Sequence, residues 1–489
     1  MLAIGSCDSS PRKGKSVKGR RGPATVCGQN ADHKPTDHLG REGDRNQGRE
    51  PGDLSMVWKA NPLGDGRPIM SKFYLCVCAA VLVSALAGCG SESGSNLPQA
   101  LDPVDGDPAF AVLSVDLAFT SSAISLLDED GDVLADEWLT SGSTSPILVA
   151  ALSGDVAFPT KQLGDGTLVV IDRLNTDVIS RFEMATGGLY GQMRTQGTSN
   201  VAAFSSNPQD CVFLSDTSAW ITRHQPSFEQ APEPDVAGND LFEFDPSTMT
   251  LTGGRIDFSS FNEQIDGVTV YARPKRVVRL GDFLLVGLDG FGEDFIVAMP
   301  GKVVIVEIAT GEGTGFSLPG VKNCGTVVPI PGVDDRAYVS CLGASPTFDP
   351  AEQRMTAGVF VMEVDQDGVA SIVRSWLPSS DPGAANSVAN LVPLNDRETI
   401  AVASGDLATT TDGAYVLDVE TGDQDLLFDI PGSFEIGQGA YHPDSELLLI
   451  PVSTEGVRLY GGSGSTFELL DTITVSAPPL GAIVVSSFR

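Results

Sequence analysis

Histidine and basic residues are scarce in this sequence. Its 489 residues include 31 Lys and Arg against 64 Asp and Glu, and only 4 His. Past residue 88 the histidines are reduced to His224 and His442. An acidic surface repels phosphate backbones and anionic headgroups, which argues against nucleic-acid binding and against electrostatic attachment to a membrane. Because no CxxC or Cys/His spacing occurs, the sequence predicts no metal site and no cofactor.

Long amphipathic helices are also missing. No stretch keeps a 3.6-residue apolar period over several turns, which is the pattern of a helix packed on a core. The 54 Gly and 31 Pro suit a chain of many short strands and turns. We therefore expect an all-β fold.

One apolar run stands out, at residues 73–87, after Lys72 and before the Gly/Ser-rich residues 90–96. It is shorter than the roughly 20 residues that span a bilayer, which favours a cleaved secretory signal over a transmembrane helix. The run closes on Leu86-Ala87-Gly88-Cys89, which resembles the lipobox of bacterial lipoproteins. The resemblance implies that Cys89 is lipidated, becomes the first mature residue and anchors the protein to a membrane. Because Gly90 rather than Asp follows Cys89, it also implies the outer membrane of the cell envelope. A plain signal peptide with a coincidental Cys is the alternative.

These features divide the chain into four parts. Residues 1–69 lack hydrophobic periodicity and are predicted to be disordered or to precede the true start, at Met70 or Met56. Residues 70–88 are the predicted lipoprotein signal peptide, residues 89–108 a flexible tether, and residues 109–489 the folded domain.

A short strand that ends in an acidic residue and a turn recurs along the folded domain. Its seven copies are residues 123–128, 168–172, 241–245, 303–307, 359–363, 414–418 and, with Tyr460 in place of the acid, 457–460. An apolar strand precedes each copy, at residues 110–114, 155–159, 211–215, 283–287, 337–341, 399–403 and 447–452. The intervals between the acidic ends are close to the ~40 to 50 residues of a four-stranded propeller blade that carries insertions.

The Asp418-Val419-Glu420-Thr421-Gly422 stretch shows the strand, acid and Thr-Gly turn most clearly. With its repeats, the domain resembles the seven-bladed YVTN/lactonase-like and quinoprotein-like propeller superfamily. The resemblance implies a seven-bladed β-propeller of four-stranded antiparallel blades, and it specifies a fold rather than a chemistry.

The two ends of the domain predict how the ring closes. Residues 97–108 are rich in Pro and Asp and offer no innermost strand to blade 1, whereas residues 481–488 form an unused apolar strand. We predict that this C-terminal strand completes blade 1, which leaves no open sheet edge.

Three long insertions predict a binding face. With strands lettered a to d from the axis outward, the apolar strand of each pair is taken as b and the acidic-ended strand as c. The insertions then fall between b and c in blades 3, 4 and 5, at residues 223–239, 289–301 and 342–358. All b–c loops emerge on one face of a propeller, and such insertions usually build its binding face. Their candidate ligand-binding side chains are Arg223, His224, Phe228, Phe291, Phe295, Phe348 and Arg354. The alternative is that the loops only cover blade edges.

Signals for catalysis are weak, and no catalytic residue is predicted. His442 precedes Pro443-Asp444 in a turn, which favours a capping role, and Asp128-Glu129-Asp130-Gly131-Asp132 lacks the spacing and final Glu of a Ca²⁺ loop. The first prediction is a monomeric, non-catalytic protein that binds or scaffolds an envelope protein, a glycan or a small ligand. A lactonase-type or quinoprotein-type enzyme stays open. So does an accessory role in iron–siderophore uptake, which a related group of propeller lipoproteins suggests.

Cys211, Cys324 and Cys341 are the cysteines of the folded domain. Residues 325–330 and 337–340 are predicted to pair as a hairpin around the turn at residues 331–335. Paired positions of a hairpin share a constant sum, and pairing 324 with 341 centres this one between Gly332 and Val333, inside that turn. We therefore predict a Cys324–Cys341 disulfide, with reduced cysteines or a bond to Cys211 as the alternatives.

Overall fold

The computed structural model describes residues 97–116, 118–196, 204–228, 232–233, 236–344, 350–378, 388–403, 411–464 and 466–485. Regular structure in these ranges is nearly all β, with one short α-helix, α1 (Pro350–Met355), and one 3-10 turn (Ser259–Phe261). Among the described residues, no helix is long and apolar enough to cross a bilayer. Cys89 and the signal, leader and Phe348 positions lie outside the described residues.

Seven four-stranded antiparallel sheets follow one another along the chain. Blades 1 and 2 contain β1 (Phe110–Val115), β2 (Ser122–Leu127), β3 (Val133–Thr140), β4 (Val156–Ala157), β5 (Thr167–Asp172), β6 (Val178–Glu183) and β7 (Gly188–Arg194). Blade 3 contains β8 (Pro208–Ser215), β9 (Ser218–Arg223), β10 (Asp240–Asp245) and β11 (Thr250–Asp257), and a hairpin of β12 (Glu263–Ile265) and β13 (Val268–Val270) follows it.

Blades 4 and 5 contain β14 (Pro274–Leu280), β15 (Phe283–Leu288), β16 (Pro300–Glu307), β17 (Gly313–Lys322), β18 (Thr326–Pro329), β19 (Arg336–Cys341), β20 (Gly358–Val364) and β21 (Ala370–Trp376). Blades 6 and 7 contain β22 (Val388–Pro393), β23 (Glu398–Ala403), β24 (Thr411–Asp418), β25 (Gln424–Pro431), β26 (Ala440–His442), β27 (Leu447–Val452), β28 (Gly456–Ser463) and β29 (Thr466–Ile473). The last strand is β30 (Ile483–Val485). The predicted all-β, seven-bladed propeller is confirmed.

The blades pack on each other through apolar side chains. Seven hydrophobic clusters each join two neighbouring blades, so that the contacts run around the whole ring. Middle strands such as β5 are buried along their whole length because neighbouring blades cover both of their faces. The outermost strand β21 instead alternates between exposed and half-buried residues along most of its length. This alternation is typical of an edge strand that faces water.

The ring closes by strand pairing in blade 1. There β30 pairs antiparallel with β1, with Val485 opposite Phe110 and Ile483 opposite Val112. Ile483 also packs in the cluster that joins blade 1 to Leu449 of blade 7. The predicted closure by the C-terminal strand is confirmed.

The predicted strand positions need correction in blades 2 and 3. The apolar runs 155–159 and 211–215 belong to the innermost strands β4 and β8 rather than to b strands, and Asp172 ends strand b of blade 2. The c strand of blade 2 is β6, which ends at Glu183 and carries Ser180 and Arg181 in its middle. Because these polar residues interrupt it, β6 does not form a continuous apolar run in the sequence. With Glu183 in place of Asp172, the acidic ends fall at 128, 183, 245, 307, 363 and 418, at nearly even intervals.

The structure contains the predicted disulfide between Cys324 and Cys341. The hairpin register, however, is displaced by one residue from the predicted one, because Thr326 pairs with Ser340 and Val327 with Val339. Cys324 lies just before β18 and forms a bridge with Leu288 of blade 4. The bond therefore links the start of strand a to the end of strand b without a directly opposed pair. Cys211 is free and buried.

Residues 97–108, the second half of the predicted flexible tether, pack on the propeller. The N–H groups of Ala100 and Leu101 donate to Gly187 O at 3.0 Å, and Val104 N donates to Ala185 O at 2.9 Å. These acceptors lie in the c–d turn of blade 2, and Trp138 Nε1 of blade 1 donates to Asp102 O at 3.1 Å. The chain thus enters the fold along the outer edge of blades 1 and 2.

Candidate ligand-binding site

The b–c loops and the connectors between blades share one face of the ring, which we call the insertion face. The a–b and c–d turns lie on the opposite side, the turn face. The structure places the three predicted insertions between strands b and c, at residues 224–239, 289–299 and 342–357, whereas blade 7 has only residues 453–455 there. The β12–β13 hairpin, between blades 3 and 4, enlarges the same face and was not predicted from the sequence.

Arg223 lies in the interior rather than on the insertion face. Its Nε donates to Asp240 Oδ1 at 2.7 Å and its Nη2 to Asp240 Oδ2 at 2.6 Å, and both side chains are 0% exposed. The Asp240 carboxylate also contacts Arg255. This two-point ion pair gives Arg223 a structural role in blade 3 and removes it from the predicted binding surface.

His224, the next residue, reaches blade 4. Its Nε2 lies 3.5 Å from Asp289 Oδ2, and Lys275 Nζ lies 3.4 Å from the same oxygen. Burial lowers the pKa of His224, against the opposing effect of Asp289, so the imidazole is neutral at pH 7. Burial alone would raise the pKa of Asp289, but Lys275 and His224 outweigh it and hold that pKa well below its usual range. The site therefore combines a neutral imidazole, an ammonium and a carboxylate.

Arg273, just before β14, completes the charged cluster. It is 0% exposed, and no carboxylate of the described residues lies within ion-pair distance of it. Its Nη1 donates to Gln225 Oε1 and its Nη2 to Gly292 O, both at 3.0 Å. Burial lowers the pKa of Arg273 to about 10, which leaves the guanidinium charged at neutral pH.

Aromatic side chains of the predicted set surround this cluster. Phe295 lies over the guanidinium, with its ring centroid 4.1 Å from Arg273 Cζ, and it packs on Phe291 at 5.7 Å. Phe228 meets Tyr271 edge-on at 5.4 Å between ring centroids. Tyr271 N donates to Phe291 O at 2.9 Å, which joins the connector of blade 3 to the loop of blade 4. The structure thus brings His224, Phe228, Phe291 and Phe295 together.

Three buried atoms of this cluster have no hydrogen-bonding partner among the described residues. They are His224 Nδ1, Arg273 Nε and Asp289 Oδ1. Buried polar atoms are nearly always satisfied in native proteins, so a group of them in one place marks a site for an additional polar group. Arg354 lies near the end of α1 in the blade 5 loop, an element separate from this cluster, and Phe348 falls outside the described residues.

Sequence reasoning missed Arg273, Lys275 and Asp289. One signal was present, because Arg273-Pro274-Lys275-Arg276 is a dense cationic run in a chain of few basic residues. This run lies between the predicted insertions at residues 223–239 and 289–301 and so belongs to neither of them. Burial and the lack of a carboxylate partner at Arg273 are tertiary properties, which the sequence does not carry.

The central channel has a volume of about 1110 Å³ and is lined by residues from all seven blades. Asp210, a buried acid of the innermost strand β8, accepts hydrogen bonds from Thr160 N and Oγ1 at 2.7 Å and from Val277 N at 2.8 Å. Burial raises the pKa of Asp210, although Arg276 opposes this effect. The Asp210 carboxylate therefore joins blades 2, 3 and 4 and has a structural role.

The remaining sequence candidates have local roles. His442 Nδ1 lies 3.3 Å from Ser445 N and 2.9 Å from Ser445 Oγ, which is the predicted capping arrangement. Asp128 Oδ1 accepts the N–H groups of Asp130 and Asp132 at 3.0 and 2.8 Å and shapes the c–d turn of blade 1. Among the described residues, no three His, Cys, Asp or Glu side chains are grouped as metal ligands.

Solved structures that resemble this chain come from proteins of different kinds. The periplasmic gluconolactonase of Pseudomonas aeruginosa is 13% identical over 76% of this chain and 97% of its own, with a TM-score of 0.48. The Cps50 (Swd1) β-propeller domain of Myceliophteria thermophila is 11% identical over 73% and 96%, with a TM-score of 0.44. A functionally unknown protein of Desulfotomaculum acetoxidans is 10% identical over 78% and 100%, with a TM-score of 0.43. No family model and no curated protein matches the sequence. Similarity at this level says nothing about a ligand, and the seven-bladed fold rests on the strand pairing described above.

Proposed function

We propose that this protein is a lipid-anchored component of the bacterial cell envelope that binds a ligand on its insertion face without transforming it. The observation that carries the proposal is the charged cluster of blades 3 and 4. There, enlarged loops surround Arg273, Lys275, His224 and Asp289, and three buried polar atoms have no hydrogen-bonding partner among the described residues. A compact cluster of this kind is better suited to binding a small ligand than to binding the flat surface of another protein.

The anchor is supported by the sequence and fits the fold. Leu86-Ala87-Gly88-Cys89 provides the acceptor thiol and Gly90 favours the outer membrane. Residues 98–104 run along the c–d turn of blade 2, on the turn face. The described chain therefore meets the propeller on the side opposite the insertion face, an arrangement compatible with an anchor that leaves that face open toward a ligand.

Anchoring is tested by Cys89→Ala. The wild-type protein is expected in the detergent phase after phase separation of whole envelopes, and the variant in the aqueous phase. A variant that partitions with detergent at the wild-type level would show that Cys89 carries no lipid.

Binding at the insertion face is tested by site-directed blocking. Glu293→Cys places a thiol on the insertion face and Asp367→Cys places one on the turn face, and both positions are exposed. Each protein is coupled to a maleimide polyethylene glycol, exposed to a small-molecule extract of envelopes and weighed by native mass spectrometry. We expect a bound mass in the wild type and in the Asp367→Cys conjugate, and none in the Glu293→Cys conjugate. Equal loss in both conjugates, or in neither, contradicts the proposal.

A hydrolytic enzyme is the second candidate, because His224 Nε2 faces Asp289 while its Nδ1 has no hydrogen-bonding partner within the ranges that the structure describes. An imidazole oriented by a carboxylate is a common acid–base arrangement. The test is hydrolysis of δ-gluconolactone above the spontaneous rate. Activity in the wild type that is lost in His224→Gln would replace the binding proposal with a catalytic one.

A further inference from the structure

Arg273 is unusual because its charge is buried and no carboxylate of the described residues lies within ion-pair distance of it. Arginine is almost never fully buried unless it is paired, yet this side chain is 0% exposed, and in the described part of the chain its hydrogen bonds go to the neutral acceptors Gln225 Oε1 and Gly292 O. A buried charge without a directly paired carboxylate costs stability. A buried charge of this kind is favourable only when a bound anion neutralises it.

The Nε–Nη2 edge of the Arg273 guanidinium indicates which anion it can bind. In Arg223, Nε and Nη2 together hold both oxygens of Asp240. In Arg273 the same edge has Nε without a partner and Nη2 on a backbone carbonyl. A planar guanidinium edge with two parallel N–H groups matches a carboxylate.

The surroundings narrow the ligand further. Arg273 lies among Phe295, Phe291 and Tyr271, whose rings offer flat apolar contacts. Asp289 and Glu293 are close enough to Arg273 to act on it electrostatically, and they would repel a ligand with two or more negative charges. The chemistry therefore favours a monocarboxylate with a flat apolar body over a phosphate.

One turn covers the guanidinium. Gly292, which accepts from Nη2, and Phe295, which lies over Cζ, belong to the same turn, because Phe295 N donates to Gly292 O at 3.2 Å. Phe295 is 39% exposed and has a φ of 59°, a backbone conformation that is uncommon for a bulky residue. Movement of this single turn would free Nη2 from the Gly292 carbonyl and withdraw Phe295 from the guanidinium.

We propose that Arg273 is the anchor for the carboxylate of a small aromatic or apolar acid, which binds the Nε–Nη2 edge of the guanidinium when the turn of Gly292 and Phe295 moves away. The assignment rests on the proposed function, since it names the ligand class of the insertion face. The body of the ligand would stack on Phe291 and Tyr271, and Asp289 Oδ1 would accept a hydrogen bond from any donor that the acid carries.

The experiment uses sodium benzoate and measures thermal unfolding of the full mature protein against sodium chloride at equal ionic strength. We expect benzoate to raise the Tm of the wild type, and sodium phosphate to have no effect beyond that of salt. Arg273→Met should fold with an unchanged or higher Tm in buffer and lose the benzoate shift. Arg273→Lys, which keeps the charge but not the planar edge, should bind benzoate at least tenfold more weakly.

Phe295→Ala keeps the proposal testable even if the arginine variants fold poorly. It removes the cover and leaves Arg273 intact, so benzoate should bind severalfold more tightly than to the wild type. A wild type without a benzoate shift, an equal shift with phosphate, a shift retained in Arg273→Met, or weaker binding by Phe295→Ala would each overturn the assignment. If benzoate fails while the Glu293→Cys conjugate still loses the envelope-derived mass, the carboxylate assignment falls and the binding function stands.

Discussion

Two buried arginines, Arg223 at the end of β9 and Arg273 just before β14, occupy similar surroundings and differ in one respect. Arg223 and Arg273 are both 0% exposed, and each lies over a phenylalanine ring, at 4.2 Å from Phe242 and 4.1 Å from Phe295. Asp240 neutralises Arg223 with two hydrogen bonds, whereas the acceptors of the Arg273 side chain among the described residues are neutral. A buried arginine is thus a structural element where its own chain supplies the carboxylate, and a candidate binding group where it does not.

The largest expected effect comes from removing the carboxylate of blade 3. Asp240→Asn leaves Arg223 buried without a counterion and also deprives Arg255 of its main partner. Because breaking a buried ion pair from one side strands the other charge, we expect the free energy of unfolding to fall by about 3–5 kcal/mol in urea denaturation. Asp257→Asn is the matched control, since Asp257 contacts the same Arg255 at 3.5 Å from the surface. Its loss should stay below about 1 kcal/mol, and equal losses would show that the Arg223–Asp240 pair is not special.

A carboxylate can be placed beside Arg273 by a single substitution. Gln225 Oε1 accepts from Arg273 Nη1 at 3.0 Å, so Gln225→Glu places a carboxylate there. Replacing a neutral hydrogen bond by a charge-assisted one should raise the free energy of unfolding by about 1 kcal/mol, and the benzoate shift should disappear because the site is neutralised. Gln264→Glu adds the same charge at an exposed position of the same face and should do neither. A benzoate shift that survives Gln225→Glu would separate binding from the charge of Arg273.

The sequence predicted the repeats of this fold better than the details within them. The acidic-ended strands, the closing strand and the cysteine pair are local patterns, so the seven blades and the disulfide could be predicted. Strand β6 was missed because Ser180 and Arg181 interrupt it, although Arg181 bonds to Asp165 and to Pro246 O of blade 3. Arg223 and Arg273 cannot be distinguished by residue type, and only the tertiary packing around each side chain determines which of them meets a carboxylate.

The smallest expected effect is on the pH dependence of stability. Burial holds the pKa of His224 below its value in the unfolded chain, so the unfolded state takes up this proton first as the pH falls. The stabilising contribution of the neutral imidazole is complete above the unfolded pKa of about 6.5 and is lost as the pH drops below it toward the folded pKa. Urea midpoints between pH 7.5 and 5 should therefore fall less steeply in His224→Gln than in the wild type. A slope unchanged by His224→Gln would mean that His224 does not titrate differently on unfolding.

Closure of the ring by β30 also determines when, during synthesis and export, the propeller can be completed. Because Val485 pairs with Phe110, blade 1 lacks its innermost strand until nearly the whole polypeptide has been delivered. Until then the growing chain is an open arc, with the β1 edge exposed and the contact between blades 7 and 1 unmade. A chain that is threaded through a membrane from its N-terminus would therefore circularise only on the far side, so the compartment that receives residue 485 is the compartment in which the propeller becomes complete.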